Sequence, residues 1–229
     1  MTTDDRIRVV LVDDQQLFRE GVAIMIDAQP DMQVVGRAGD GREAIAVIAE
    51  TRPDVVLMDI RMPILDGVAA TRELFTPAAL AGRDKPLRVI VLTTFNLDLS
   101  AATAIRFGAS GFLLKDSTPE FLAASVRAVH SGASVIAPAA LGDLFGAVDA
   151  DVQVTAPPAE FNLLSGRELT IFHPAARGLS NAEIATELFV SAHTVKSHIS
   201  SILAKLGLRD RVQLVVFAHE HGLLDQRGG

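Results

Sequence analysis

VVLMDIRMPILDG, residues 55–67, begins with four apolar residues in a row and reaches its first acid at Asp59. A strand with one wet face alternates apolar and polar side chains. An unbroken apolar run suits a strand buried on both faces instead. VVLV at 9–12 and VIVL at 89–92 read the same way. Working outward from these runs, strands are expected over 7–12, 34–37, 54–58, 88–92 and 111–114. Helical patterns fall between them near 16–28, 41–51, 66–75 and 98–107, and a fifth follows the last strand near 119–131. Five β-α units predict an α/β fold, a doubly wound five-stranded parallel sheet with helices on both faces. The segment TPAALAGRDKPLR, 76–88, is long for a connection, and its tip is expected as a surface loop.

The acids and hydroxyls fall at particular places on this frame. Asp13 and Asp14 follow the first strand, Asp59 ends the third, Thr93 ends the fourth and Lys115 ends the fifth. The carboxyl ends of the strands are where open α/β sheets bind ligands, so these side chains should gather at one edge. Any one of them alone is an ordinary loop residue; the set, in this order, is not. Three clustered carboxylates repel one another and favour a hard divalent cation such as Mg²⁺, which takes oxygen ligands and bridges carboxylate to phosphate. Asp59 can then attack phosphorus as a carboxylate nucleophile. Lys115 would stabilise the transferring oxygens, and the Thr93 hydroxyl would hydrogen-bond the new phosphoryl group, which is the basis of a switch.

Residues 7–131 resemble the receiver domain of two-component response regulators. The resemblance is carried by VVLVDD ending at Asp14, VVLMDIRMPILDG around Asp59, VIVLTT ending at Thr94 and GASGFLLKD around Lys115. It implies the flavodoxin-like strand order 2-1-3-4-5 and a phospho-acceptor role for Asp59. It further implies that Asp14 ligates Mg²⁺ directly, that Asp13 does so through water, and that the Arg61 backbone carbonyl adds a ligand. Thr93 becomes the switch hydroxyl and Lys115 the phosphate-contacting cation. Phe112 takes the place of the switch aromatic, often Tyr. Lacking a hydroxyl, it can switch by packing alone.

Beyond the receiver the pattern changes. No Lys or Arg occurs between Ala128 and Gly166, and Pro157-Pro158 disfavours a helix. The stretch 132–160 is read as a linker, with one short helix over 138–146 (PAALGDLFG). This divides the chain into 1–131, 132–160 and 161–229. From Leu164 on, everything is helical, and an all-α four-helix unit is expected. Ser165-Gly-Arg-Glu168 is a capping-box pattern. Helices follow over 181–189, 192–206 and about 210–221, and so tight a turn between the first two of these belongs to DNA-binding units. Proline at 174 stands inside the helix after Ser165, which predicts a kink near 170–174 or an early end, because proline removes a hydrogen bond and clashes one turn back.

Residues 162–224 resemble the LuxR-type helix-turn-helix of the NarL/FixJ family, on LLSGREL and GLSNAEIATELFVSAHTVKSHISSILAKLGLRDRVQLVVFA. By that resemblance 182–189 is the scaffold helix and 193–206 the recognition helix. Val195, Ile199, Ile202, Leu203 and Leu206 recur at spacings of three and four, which makes one buried face. The opposite face shows His193, Thr194, Lys196, Ser197, Ser200 and Lys205. Lys196, Ser197 and Ser200 are expected to face bases, and Thr194, His198, Ser201 and Lys205 the DNA backbone.

Composition limits the alternatives. Apolar residues make up 49% of the chain, enough for real cores. There is no Cys, which excludes disulfides and thiol chemistry. Mean hydropathy is +0.32, yet no apolar run reaches the roughly 18–20 residues of a membrane span. MTTDDRIR is polar and no secretory signal, so a cytoplasmic protein with no membrane partner is expected. The net charge of −7 lies wholly in residues 1–151, where 14 Lys and Arg face 21 Asp and Glu. Residues 152–229 hold 7 of each. A DNA-binding half that is merely neutral should bind weakly as one copy, because phosphate contacts supply much of the affinity. A homodimer formed on phosphorylation would answer that.

The leading expectation is a transcriptional regulator, not an enzyme, that binds double-stranded DNA under control of a sensor histidine kinase, with phosphorylation of Asp59 either favouring a dimer or releasing the recognition helix from the receiver. A DNA-binding regulator that works without phosphate is the alternative. A phosphatase of the haloacid-dehalogenase type also uses an Asp nucleophile, Mg²⁺, Thr or Ser and Lys, but needs an acid two residues later. Arg61 stands there and cannot serve.

Overall fold

The computed structural model describes residues 5–83, 85–94, 99–132, 135 and 156–224. The chain divides into two compact units, residues 1–135 and 136–229. Of the expected linker, 133–134 and 136–155 lie outside the described residues, and so does the whole of the expected helix over 138–146.

In the first unit the elements alternate. They are β1 (Ile7–Val12), α1 (Gln16–Asp27), β2 (Met32–Ala38), α2 (Gly41–Thr51), β3 (Val55–Asp59), α3 (Gly67–Leu74), α4 (Pro77–Leu80), β4 (Arg88–Thr93), α5 (Leu99–Arg106), β5 (Gly111–Leu114) and α6 (Pro119–His130). The five strands are parallel and ordered β2-β1-β3-β4-β5. Val55, Val56, Leu57 and Met58 are all 0% exposed, so the unbroken apolar run is a central strand covered on both faces. The edge strand β2 is only half-buried and extends beyond the expected 34–37 at both ends, because Met32 and Ala38 turn into the core. Asp54 is a connector rather than a strand residue. Its carboxylate accepts the Arg8 N–H at 3.0 Å, while Asp59 joins the strand itself.

The segment 76–88 carries structure that the sequence reading missed. Thr76 and Pro77 start a single helical turn, α4, with the Thr76 hydroxyl accepting the Ala79 N–H at 3.3 Å. A hydroxyl cap followed by proline at the first helical position is a favoured start. The following loop is clasped reciprocally. Arg52 donates to the Gly82 carbonyl at 3.1 Å and Arg83 to the Pro53 carbonyl at 2.7 Å.

The second unit has a 3-10 turn (Ala159–Leu163) and four α-helices: α7 (Gly166–Ala176), α8 (Asn181–Glu187), α9 (Ala192–Leu206) and α10 (Arg211–Glu220). Its core gathers Leu164, Ile171, Phe172, Ile184, Val195, Ile199, Ile202, Leu214 and Phe217. Proline does not end α7 early. Pro174 is the third residue from the end, and its carbonyl accepts the Leu179 N–H at 3.0 Å while the Ala175 carbonyl accepts the Gly178 N–H at 3.0 Å. Gly178, at φ 94, lets the chain turn away in the left-handed conformation. α8, the helix expected over 181–189, stops two residues short of that end, and Phe189 adopts φ 54. Among the described residues no helix is long and apolar enough to cross a membrane.

Candidate functional site

Four strands deliver side chains to the carboxyl edge of the sheet. Asp13 follows β1 and is 2% exposed; Asp59 closes β3 and Thr93 closes β4, both buried. Asp14 is exposed. Asp13, Asp14 and Asp59 each offer a carboxylate oxygen, and these atoms lie within 4.8 Å of one another. Lys115, just past β5, places its Nζ 2.7 Å from Asp13 Oδ2 and 3.0 Å from Asp59 Oδ2. Its backbone N–H donates to the Thr93 carbonyl at 2.8 Å, which joins the ends of β4 and β5. The Phe18 ring lies 5.0 Å from Lys115 Nζ and forms an aromatic wall beside the ammonium. The sequence reading missed Phe18, since nothing local to α1 signals a partner just past β5.

Burial pushes the Asp59 carboxyl above its ordinary range. Lys115 and the Arg61 backbone N–H pull it back only in part, and Asp13 pushes it further up. Burial opposes the charge on Lys115, but the two carboxylates outweigh it and hold the ammonium above its usual range. The pocket carries three carboxylates against one lysine, and one of the three faces solvent. That set fits a hard cation with oxygen ligands that keeps some of its water. Phe112 is on β5, paired with Val91 and half-buried, two residues before the strand end. The backbone of Arg61 lies in the loop after β3.

That loop is held by close packing. The Gly67 N–H donates to the Ile60 carbonyl at 2.9 Å, and a Cβ added to Gly67 would lie 2.0 Å from the Asp59 carbonyl oxygen. Only glycine lets α3 begin so near the end of β3. Ile64, in the same loop, adopts φ 66 and is 83% exposed.

On α9, His193, Lys196, Ser197 and Ser200 are exposed, and Thr194 and His198 are half-buried. Ser191 caps the helix, its hydroxyl accepting the Thr194 N–H at 3.0 Å. Two residues expected at the DNA backbone are committed elsewhere. Ser201 donates to Glu168 Oε1 at 2.8 Å, and Lys205 donates to Glu168 Oε2 at 2.7 Å and to the Leu163 carbonyl at 3.1 Å. Glu168 also closes the capping box by accepting the Ser165 N–H at 2.7 Å. Lys205 and these serine donors hold its carboxyl at about 2. Arg211, also missed, donates to Asn181 Oδ1 at 2.8 Å and to the Leu179 carbonyl, joining α10 to the start of α8.

Comparison with known proteins gives two family matches. The family described as "Response regulator receiver domain" matches residues 9–127, and "Bacterial regulatory proteins, luxR family" matches residues 162–218. The chain is 40% identical to the "Uncharacterized transcriptional regulatory protein YxjL" of Bacillus subtilis (strain 168), over 96% of this chain and 98% of that one. It is 37% identical to the "Transcriptional regulatory protein LiaR" of the same strain, over 96% of this chain and 100% of that one. Among solved structures, the response regulator ChrA of a heme-sensing two component system matches at 35% identity with a TM-score of 0.50, over 96% of this chain and 99% of that one.

Proposed function

The chain belongs to the response regulators, with a receiver domain and a LuxR-type DNA-binding domain, and from that membership we propose how its own residues divide the work. The receiver is taken as 1–131, the linker as 132–160 and the DNA-binding domain as 161–229. Asp59 is the phospho-acceptor. The observation that carries this is the meeting of three carboxylates within 4.8 Å with Lys115 Nζ 3.0 Å from Asp59.

A carboxylate oxygen of Asp59 forms the new bond to phosphorus as the phosphorus–nitrogen bond of a phosphohistidine on the partner kinase breaks. The departing imidazole keeps that electron pair. Asp14, Asp59, Asp13 through water and the Arg61 carbonyl would hold Mg²⁺, which when bound supplies positive charge against the transferring oxygens. Lys115 keeps its proton and turns from Asp59 toward the phosphoryl oxygens. The Thr93 hydroxyl then donates to the phosphoryl group, and Phe112 follows by packing. With Arg61 where a phosphatase would carry its general acid, the aspartyl phosphate stores a signal and is not turned over as an enzymatic product.

In the second unit, α9 enters the major groove. Lys196, Ser197 and Ser200 face base edges, with His193, Thr194 and His198 at the rim and the backbone. Ser201 and Lys205 hold the helix in place. Both lysines of α9 are exposed, but Lys205 is paired with Glu168, so one copy offers DNA little positive charge and tight binding requires two copies on two half-sites.

The test is intact-mass measurement after acetyl phosphate and Mg²⁺, on wild type and Asp59→Ala, with size-exclusion chromatography of the same samples. One phosphoryl adduct, absent from the variant, together with a shift to dimer, supports the reading. No adduct on wild type overturns the Asp59 mechanism and leaves a DNA-binding protein under other control.

A further inference from the structure

We propose that Phe189, in the turn between α8 and α9, is a DNA-contacting residue whose ring packs against the sugar wall and thymine methyls of the groove that α9 enters. This rests on the DNA-binding reading above and adds a residue that neither polarity nor helix periodicity would select.

Phe189 is 95% exposed, and its backbone stands at φ 54. Its neighbours are anchored. Leu188 and Val190 pack against the core, and the Val190 N–H donates to the Ala185 carbonyl at 3.0 Å, closing the turn around the residue between them. The turn would form at least as well with glycine or asparagine, which tolerate the left-handed region. A phenylalanine there is disfavoured by the backbone and gains nothing by burial. A local preference broken without local gain marks a position kept for function.

The partner follows from place and charge. Phe189 lies two residues before Ser191, the cap of α9, and the N-terminal residues of a recognition helix are the ones that reach base edges. The turn LFVSA, 188–192, holds no acid that would repel phosphate. An uncharged aromatic at the mouth of the groove can touch deoxyribose carbons and thymine methyls, which are the apolar features DNA presents there.

The experiment selects a duplex from a random 30-base-pair pool with full-length wild type treated with acetyl phosphate and Mg²⁺. The Kd on that duplex is then measured at several salt concentrations for wild type, Phe189→Gly and Phe189→Ala, with circular-dichroism melting of each. Phe189→Gly should melt no lower than wild type yet bind roughly tenfold more weakly, and Phe189→Ala should also bind more weakly. The salt dependence should be unchanged, because the ring carries no charge. Both variants binding as tightly as wild type, or Phe189→Gly melting well below it, overturns the proposal while leaving the DNA-binding reading intact. Failure of wild type to enrich any duplex removes the DNA-binding reading and this proposal with it.

Discussion

Lys205 Nζ lies 2.7 Å from Glu168 Oε2 and binds the far end of α9 to the first turn of α7. Glu168 thus does two things at once. It completes the capping box with Ser165, and it receives Ser201 and Lys205 from a helix 33 to 37 residues away. α9 is thus fixed to the domain by one of the cations that its sequence pattern offers to DNA.

Replacing each lysine of α9 separates the two roles. Lys205→Ala leaves the Glu168 carboxylate, 4% exposed, without its charged partner. It should lower stability by about 1–3 kcal/mol and leave the salt slope of DNA binding unchanged. Lys196→Ala should leave the melting temperature alone, cost about 1–3 kcal/mol of DNA binding and relax base preference at the position it faces. Both are read by thermal melting and by binding titrations over a salt series.

The same carboxylate makes the second unit acid-sensitive. Its pKa falls from 4.5 in the unfolded chain to about 2 when folded, chiefly through Lys205. A depressed carboxyl contributes stability that is complete above 4.5 and is lost as pH falls toward about 2. Melting of wild type should decline across that window, and the decline should be shallower in Glu168→Gln. Equal slopes would remove Glu168 as the cause.

Two substitutions between the end of β3 and the start of α3 should act in opposite directions. Gly67→Ala places a methyl 2.0 Å from the Asp59 carbonyl oxygen. It should cost about 1–3 kcal/mol and remove most of the acetyl-phosphate adduct seen by intact mass. Ile64→Asn relieves a β-branched residue at φ 66 and should gain up to about 1 kcal/mol, read by denaturant melts.

Mg²⁺ should raise the melting temperature of wild type by relieving repulsion among Asp13, Asp14 and Asp59. Asp14→Asn should lose most of that rise. Calorimetric titration checks the same point directly, and equal Mg²⁺ binding by the variant would exclude Asp14 as a ligand.

The sequence was legible where the signal is local or periodic. VVLM at 55–58 gave the central strand, and VVLV, VIVL and two shorter apolar stretches gave the rest of the sheet. Ser165 and Glu168 gave the start of α7, and the apolar stripe from Val195 to Ile202 gave the buried face of α9. It was least legible where the competing effects were both local. Pro174 signals a kink or an early end, but placed at the third residue from the end it does not cut the helix short and supplies a carbonyl that closes the terminus.

By itself, then, the sequence determined the five strands and the long helices, if not α4 or every boundary, and that acids, Thr93 and Lys115 stand at strand ends, because a run of side chains dictates its own burial pattern. Tertiary structure alone decided which of several exposed-looking groups are engaged. Lys205 and Lys196 are both lysines on one amphipathic helix, and only the packing of α7 against α9 distinguishes the one that holds Glu168 from the one left facing water. Phe18 beside Lys115, Gly67 against Asp59 and the left-handed turn at Phe189 are of the same kind. Each depends on the distance between segments, and charge and hydrogen-bond energies fall off too steeply with distance for sequence spacing to reveal them.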